Sequence, residues 1–279
     1  MRRTHVIAGL CVLLGIGVIG FVLSGIGRIQ EANSRVRCAS QLKGLGYAIH
    51  HYADANQDRF PPGTVPLPGT PTDRRLSWVV LAGPYYGNGR AEIERFVTAG
   101  PADEKQNVTA AEARFLHLVC PSSGAYEERG GWAYWKSPTP LTHYVGVSGV
   151  GTDAAELPER HPRAGAFGYD RTASRTDGFP DGLANTLLLV ETADEPGHWA
   201  FGGPGTVRSF VPAAAPYIGE GRPFGGFHPA EYGWLGKKGG AMNVVMADTS
   251  IRTIRGDIDP AVLEALATVS GREPLPAEW

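Results

Sequence analysis

The sequence predicts an α+β fold, a long N-terminal helix followed by a domain of short strands and many turns. Three observations lead there. Val6 to Ile26 is an uninterrupted apolar run without a charge. Helical steps of three and four continue past it to Tyr52, and no proline intervenes before Pro61. From that point on, 30 of the chain's 38 glycines and all of its 22 prolines mark a region cut by turns.

At about 1.5 Å per residue, a helix over Val6–Ile26 crosses the roughly 30 Å hydrocarbon core of a bilayer. In the next segment Ile29, Ala32, Val36, Ala39, Leu42, Leu45, Ile49 and Tyr52 form one apolar stripe. Arg28, Gln30, Ser34, Arg37, Gln41 and Asp54 fall mostly on other faces. The expectation is one helix with its first half transmembrane and its second half packed on a domain. Arg2 and Arg3 before an apolar run also suit a secretory signal. The run is longer than a usual signal core, however, and ends in SGIGRIQ without an A-x-A-like site. Retention as an anchor is the stronger reading. The expected division is 1–27 as N-terminal segment and membrane helix, 28–270 as the domain (28–53 being helix), and 271–279 as a loose tail. Arg2 and Arg3 favour a cytoplasmic N-terminus in the inner membrane, which puts the domain outside the cytoplasm, although Arg28, Arg35 and Arg37 weaken that bias.

A net charge of −2 and the lack of a polybasic tract give no case for nucleic acid; the expected contact is membrane lipid through Val6–Ile26. Asn56 suits a helix end and Pro61-Pro62 forbids continuation. SWVVLAGPYYG (77–87) reads as strand or short helix. AEIERFVTAG and TAAEARFLHLV read as helices, the second capped by Thr109. THYVGVSG and LANTLLLVE, the latter ending at Glu191, read as strands, with a turn at Asp181-Gly182 before the second. AMNVVMADTSIRTI reads as a hairpin, and Asp259-Pro260 opens a last helix stopped by Gly271.

Chemistry is sparse in the sequence. There is no HExxH, CxxC, P-loop or GxGxxG after a strand, so neither a cofactor nor an enzymatic activity is expected. GVSGVG at Ser148 fails the nucleophile elbow because Val150 replaces its second glycine. Adjacent His50 and His51 project about 100° apart and cannot chelate together; one of them is expected at the helix–domain contact. No metal set is evident. His228 and Asp248 are the weak candidates, and a structural His–carboxylate hydrogen bond suits them better than a ligand pair. Trp132, Trp135, Trp199 and Trp234 suit core or loop anchors, with glycan or protein binding as the alternative. Cys38 and Cys120 would pair in a disulfide if the domain is outside the cytoplasm; two buried free thiols are the alternative.

Three ordered segments carry a resemblance: EANSRVRCASQLKGLGYAIHHYADANQDRFPPG, then LVCPSS with DGLANTLLLVE, then GGFHP followed by AMNVVMADTSIRTI. Together they resemble a bacterial family of pilin-like membrane proteins of unknown function. Its patterns fall here on Cys38, Leu42 and Gly46; Pro61 and Pro62; Cys120 and Pro121; Asp181, Gly182, Asn185 and Thr186; and His228 and Asp248. The resemblance implies a pseudopilin-like architecture, an antiparallel sheet packed on the second half of the helix. It also implies a structural role in secretion or surface assembly, with pilin-like or secretion-system subunits as partners and no catalysis. Two departures stand out. The family spaces its terminal His and Asp by nine residues and follows them with Gly, whereas nineteen separate His228 from Asp248 and Thr249 follows. A prepilin junction at Gly9-Leu10 would put Leu14 where pilins carry glutamate, and the first acidic residue is Glu31.

Overall fold

The computed structural model describes residues 2–87, 90–129, 132–233, 236–276 and 279. The side chains of most of residues 2–24, and of 129, 232, 233, 236 and 237, also lie outside that set, and the sequence expectations for Val6–Ile26 and Trp234 fall largely or wholly there. Among the described residues no helix is long and apolar enough to cross a membrane.

One helix, α1 (Arg2–Ala55), opens the chain. The Asn56 side chain donates to the Tyr52 carbonyl at its end, and the chain then turns into buried Pro61 and Pro62. The buried stripe is offset from the apolar pattern. Glu31, Cys38, Leu42, Leu45, Ile49 and Ala53 are buried, with Arg35 half-buried, whereas Ile29 and Val36 are 64% and 68% exposed. Steps of 4-3-4-3-4-4 from Glu31 trace one face that is polar at its upper end and apolar at its lower end. Polar residues at 31 and 35 hid its phase from hydrophobicity. Burial of Leu42, Leu45 and Ile49 contributes about 1.5–3 kcal/mol each. Gly46 lets helix and sheet close up, since a Cβ there would stand 3.0 Å from Val245 Cγ2.

The sheet is mixed rather than wholly antiparallel. β3 (Tyr144–Val150), β4 (Leu187–Glu191), β6 (His228–Gly233), β7 (Gly236–Met246) and β8 (Ile251–Arg255) pair antiparallel, but β5 (Val207–Phe210) runs parallel to β3. The parallel pairing follows from the long Gly- and Pro-rich return between Glu191 and Val207, which replaces a tight hairpin. A separate hairpin joins β1 (Tyr126–Arg129) and β2 (Trp132–Trp135). Val245 packs with the α1 residues in one core; Val244 and Met246 pack in a second core with Leu263 and Leu266 of α5 (Pro260–Ala267). The sheet is therefore covered by α1 on one face and α5 on the other. Leu275 and Trp279 join that second core, and the Arg252 guanidinium lies 4.3 Å over the Trp279 ring, so the described part of the tail is docked.

Ser77 caps the short α2 (Trp78–Ala82), which settles the 77–87 alternatives as helix. The helices predicted over 91–118 shrink to α3 (Arg90–Ile93) and α4 (Lys105–Ala111). Thr109 is not a cap. It lies inside α4 and donates to the Lys105 carbonyl at 2.8 Å, because the helix already starts at Lys105.

Gly182, with φ +91° and ψ 142°, holds a conformation essentially reserved for glycine. Around it Thr186 Oγ1 donates to the Gly182 carbonyl at 3.1 Å, Asn185 Nδ2 to that of Asp181 at 3.0 Å, and the Asp181 carboxylate accepts Arg272 N–H. Gly182→Val is therefore expected to cost about 1–3 kcal/mol. A lowered midpoint in thermal unfolding of the purified chain checks it; an unchanged midpoint refutes the assignment.

His117 stacks on Tyr86 with ring centroids 4.0 Å apart, and burial lowers its pKa to about 4. The folded value lies below the ordinary 6.5, so its contribution to stability is present above pH 6.5 and lost as pH falls toward 4. His117→Phe keeps the stacking and should flatten the pH dependence of the unfolding midpoint in that window. An unaltered acid slope would show that another group carries it.

Candidate functional site

The β7 pairings place two strand ends side by side. Ala241 faces His228 on one edge and Arg255 on the other, while Val244 and Val245 face β4 on one edge and β8 on the other. β4 and β6 thus follow one another along the same edge of β7. Glu191, the last residue of β4, and His228, the first of β6, flank the break between them. The polar end of the α1 face lies over that break.

His228 is the hub. Its Nδ1–H donates to Glu31 Oε1 at 2.5 Å, and its Nε2 lies 3.6 Å from Glu191 Oε1 and 3.5 Å from Cys120 Sγ. Glu191 Oε2 accepts the Asn243 backbone N–H at 2.6 Å, and Oε1 accepts Asn243 Nδ2 at 3.1 Å. Thr253 Oγ1 donates to Asn243 Oδ1 at 2.8 Å and orients that amide. Ser122 Oγ donates to the second Glu31 oxygen at 3.3 Å, and Arg35 donates to the Pro229 carbonyl. Cys38 and Cys120 stand as free, fully buried thiols with Sγ atoms 2.6 Å apart. Cys120 opens the turn at Pro121–Ser123, and its backbone N–H donates to His143 Nδ1 at 3.0 Å.

Burial opposes a charge on His228, but hydrogen bonds to Cys38 and Glu191, the Glu191 charge and Glu31 outweigh it and raise the imidazole to about 10. The Cys38 thiol is pushed well above its usual range, first by its contact with Cys120 and then by burial. Burial lowers His143 to about 4, in keeping with a neutral ring that accepts at Nδ1.

His228 does hydrogen-bond a carboxylate, but that carboxylate is Glu31, with Glu191 3.6 Å away on the other ring nitrogen, and not the Asp248 expected from the sequence. From Ala241, opposite His228, to Met246 the strand rises about 17 Å, and Asp248 lies beyond its end. There Asp248 accepts Ser250 N–H at 2.8 Å as a turn residue. Cys38 and Cys120, 82 positions apart, are brought together. His50, of the adjacent pair, meets the domain, with Nε2 2.8 Å from the Ala247 carbonyl. His51 is exposed and pairs with Asp54. Ser148 lies buried within β3, its hydroxyl unbonded. Trp199 is a core residue donating to the Ala113 carbonyl at 2.8 Å, whereas Trp132 is 74% exposed.

Glu31, Glu191 and Asn243 escaped the sequence reading. A lone carboxylate seven positions before a cysteine on a helix was the available signal for Glu31: two turns put both on one face. Glu191 and Asn243 sat inside apolar strand runs, where a buried polar residue is the informative exception.

Fold and site together define a helix-tethered α+β domain with a buried Cys/His/carboxylate cluster at the helix–sheet junction. Residues 28–261 match the family described as Protein of unknown function (DUF1559), and the chain belongs to that family. Comparisons with curated proteins and with solved structures gave no match.

Asn243→Ala removes the amide that satisfies Glu191 Oε1, and a lost hydrogen bond to a buried charged group costs about 1.5–3 kcal/mol. A lower urea midpoint at unchanged m-value is the expected result. A midpoint within error of the parent would mean that the Asn243 backbone N–H alone suffices.

Proposed function

We propose that this chain is a membrane-anchored, extracytoplasmic, pseudopilin-like structural protein of the inner membrane, its N-terminus cytoplasmic and its role linked to secretion or surface assembly. The observation that carries the reading is α1 itself. One unbroken helix runs Arg2–Ala55, and among its described side chains the first buried one is Glu31. The preceding Val6–Ile26 run has no charge, and that length of apolar helix suits a bilayer. Toward the domain, Phe21, Ile26 and Ile29 are exposed, at 72%, 47% and 64%. The domain meets the lower half of α1 with a sheet, as a pilin-like arrangement requires.

Filament membership is the weaker part of the resemblance. Pilins use a glutamate within the apolar segment to register subunits, and Leu14 stands at that place here. Glu31 is committed to His228 inside its own domain. The proposal is therefore an anchored subunit or lone anchor in preference to a pilus building block.

A second reading rests on the β1–β2 hairpin, where Trp132 and Tyr134 are 74% and 55% exposed on alternate residues of one strand. That is the geometry of an aromatic platform for a glycan or protein partner. Loss of polymer binding in Trp132→Ala would favour it.

The test is fractionation and intact mass of the chain from its native membranes. The expected chain resists a carbonate wash, dissolves in detergent, has its domain accessible to protease added outside spheroplasts, and shows an uncleaved mass. Recovery in the soluble fraction with the run to Ile26 removed overturns the anchor. Loss of nine residues with a methylated new N-terminus overturns the lone-anchor form and puts the chain in an assembly pathway.

A further inference from the structure

We propose that Cys38, Cys120, Glu191 and His228 form a buried binding site for a tetrahedral divalent metal of the zinc type. The metal would fasten α1 to the domain. One donor atom from each of the four lies within 4.8 Å of every other, and all four residues are buried. They come from four separate places in the chain: α1, the turn at Cys120, the end of β4 and the start of β6. Two thiols, an imidazole and a carboxylate suit zinc in kind and number.

Distances support the arrangement in part and state what must move. Bonds of about 2.3 Å to sulfur and 2.0–2.2 Å to nitrogen or oxygen give tetrahedral ligand–ligand edges of roughly 3.3–3.8 Å. His228 Nε2 lies 3.5 Å from Cys120 Sγ and 3.6 Å from Glu191 Oε1, both on such edges. The sulfurs, at 2.6 Å, must part by about 1 Å to reach a thiolate–thiolate edge. Binding displaces the two thiol protons and the His228 Nε2 proton to solvent and leaves two thiolates, one neutral imidazole and one carboxylate on the cation.

The surroundings are what metal ligands require. Glu31 Oε1 accepts from His228 Nδ1, which keeps a proton there and turns Nε2 toward the cluster, ready to ligate once its own proton is displaced. This carboxylate–histidine arrangement is the usual support of a metal-bound imidazole. Asn243 holds both Glu191 oxygens in place through its backbone N–H and its amide. A purely structural ion pair between His228 and the two carboxylates has no use for the thiols, yet these close the remaining side of the pocket. A Cys38–Cys120 disulfide is the competing fate, since it would remove both sulfur donors.

The full-length chain, purified in detergent with its thiols kept reduced, is loaded with zinc or cobalt(II) alone. The expected result is one metal per chain and a higher unfolding midpoint with zinc. Cobalt should give the visible bands of a tetrahedral site and a near-ultraviolet thiolate-to-cobalt band. Cys120→Ala should weaken that charge-transfer band, and the double variant Cys38→Ala/Cys120→Ala should lose it. Glu31→Gln, which keeps all four donors, should bind zinc about 10- to 100-fold more weakly while retaining the tetrahedral cobalt spectrum. Spectra are read directly on the parent chain, so a variant that fails to fold leaves the test intact. Absence of a stoichiometric metal and of any zinc-induced shift overturns the site. So does a chain isolated from native membranes with a mass short of two hydrogens and with Cys38 and Cys120 both resistant to alkylation, which would identify the disulfide. Neither readout depends on membrane anchoring.

Discussion

The face that α1 turns toward the sheet is the constraint on which the rest of the domain depends. From Leu42 to Ala53 that face is apolar and meets Val245 over Gly46. From Glu31 to Cys38 the same face is ionisable and meets a break between two strands. An apolar side chain at position 31 would leave His228 Nδ1 without its acceptor. Charges so deeply buried are tolerated only when each is paired or hydrogen-bonded. Helix register and sheet register are thereby locked by two unlike contacts on one surface, one non-directional and one strongly directional.

The break itself has a simple origin. β7 is eleven residues long, whereas β4 and β6 have five and six, so the two share one edge of the longer strand end to end. Where they meet, the Asn243 N–H has no strand carbonyl opposite and takes a side-chain oxygen of Glu191 instead. A gap in the ladder, which alone would strand a backbone donor, thus fixes the orientation of a carboxylate.

Much of the architecture was legible in the sequence. The helix to Ala55, the β3 and β4 strands, the β7–β8 turn and the Asp259-Pro260 start of α5 follow from local chemistry. Hydropathy failed where the buried residue is polar. Ile29, Ala32 and Val36 form a regular stripe, but the domain covers its neighbour through Glu31 and Arg35. The parallel course of β5 depends on a long return that has no periodic signature. The cluster joins residues up to 197 positions apart, and no motif spacing reports such a contact. The cysteines were the part of it that sequence could suggest, because their number and compartment limit their fates.

The β6–β7 hairpin changes what a fixed His-to-Asp spacing means. The two strands pair from His228–Ala241 at the base to Gly233–Gly236 at the far end, so residues added beyond that end in even number lengthen the ribbon without shifting the pairing at its base. His228 still faces Ala241, and the extra ten positions relative to the shorter spacing extend away from the cluster. In this chain the interval from His228 to Asp248 measures the length of the ribbon and marks no shared centre.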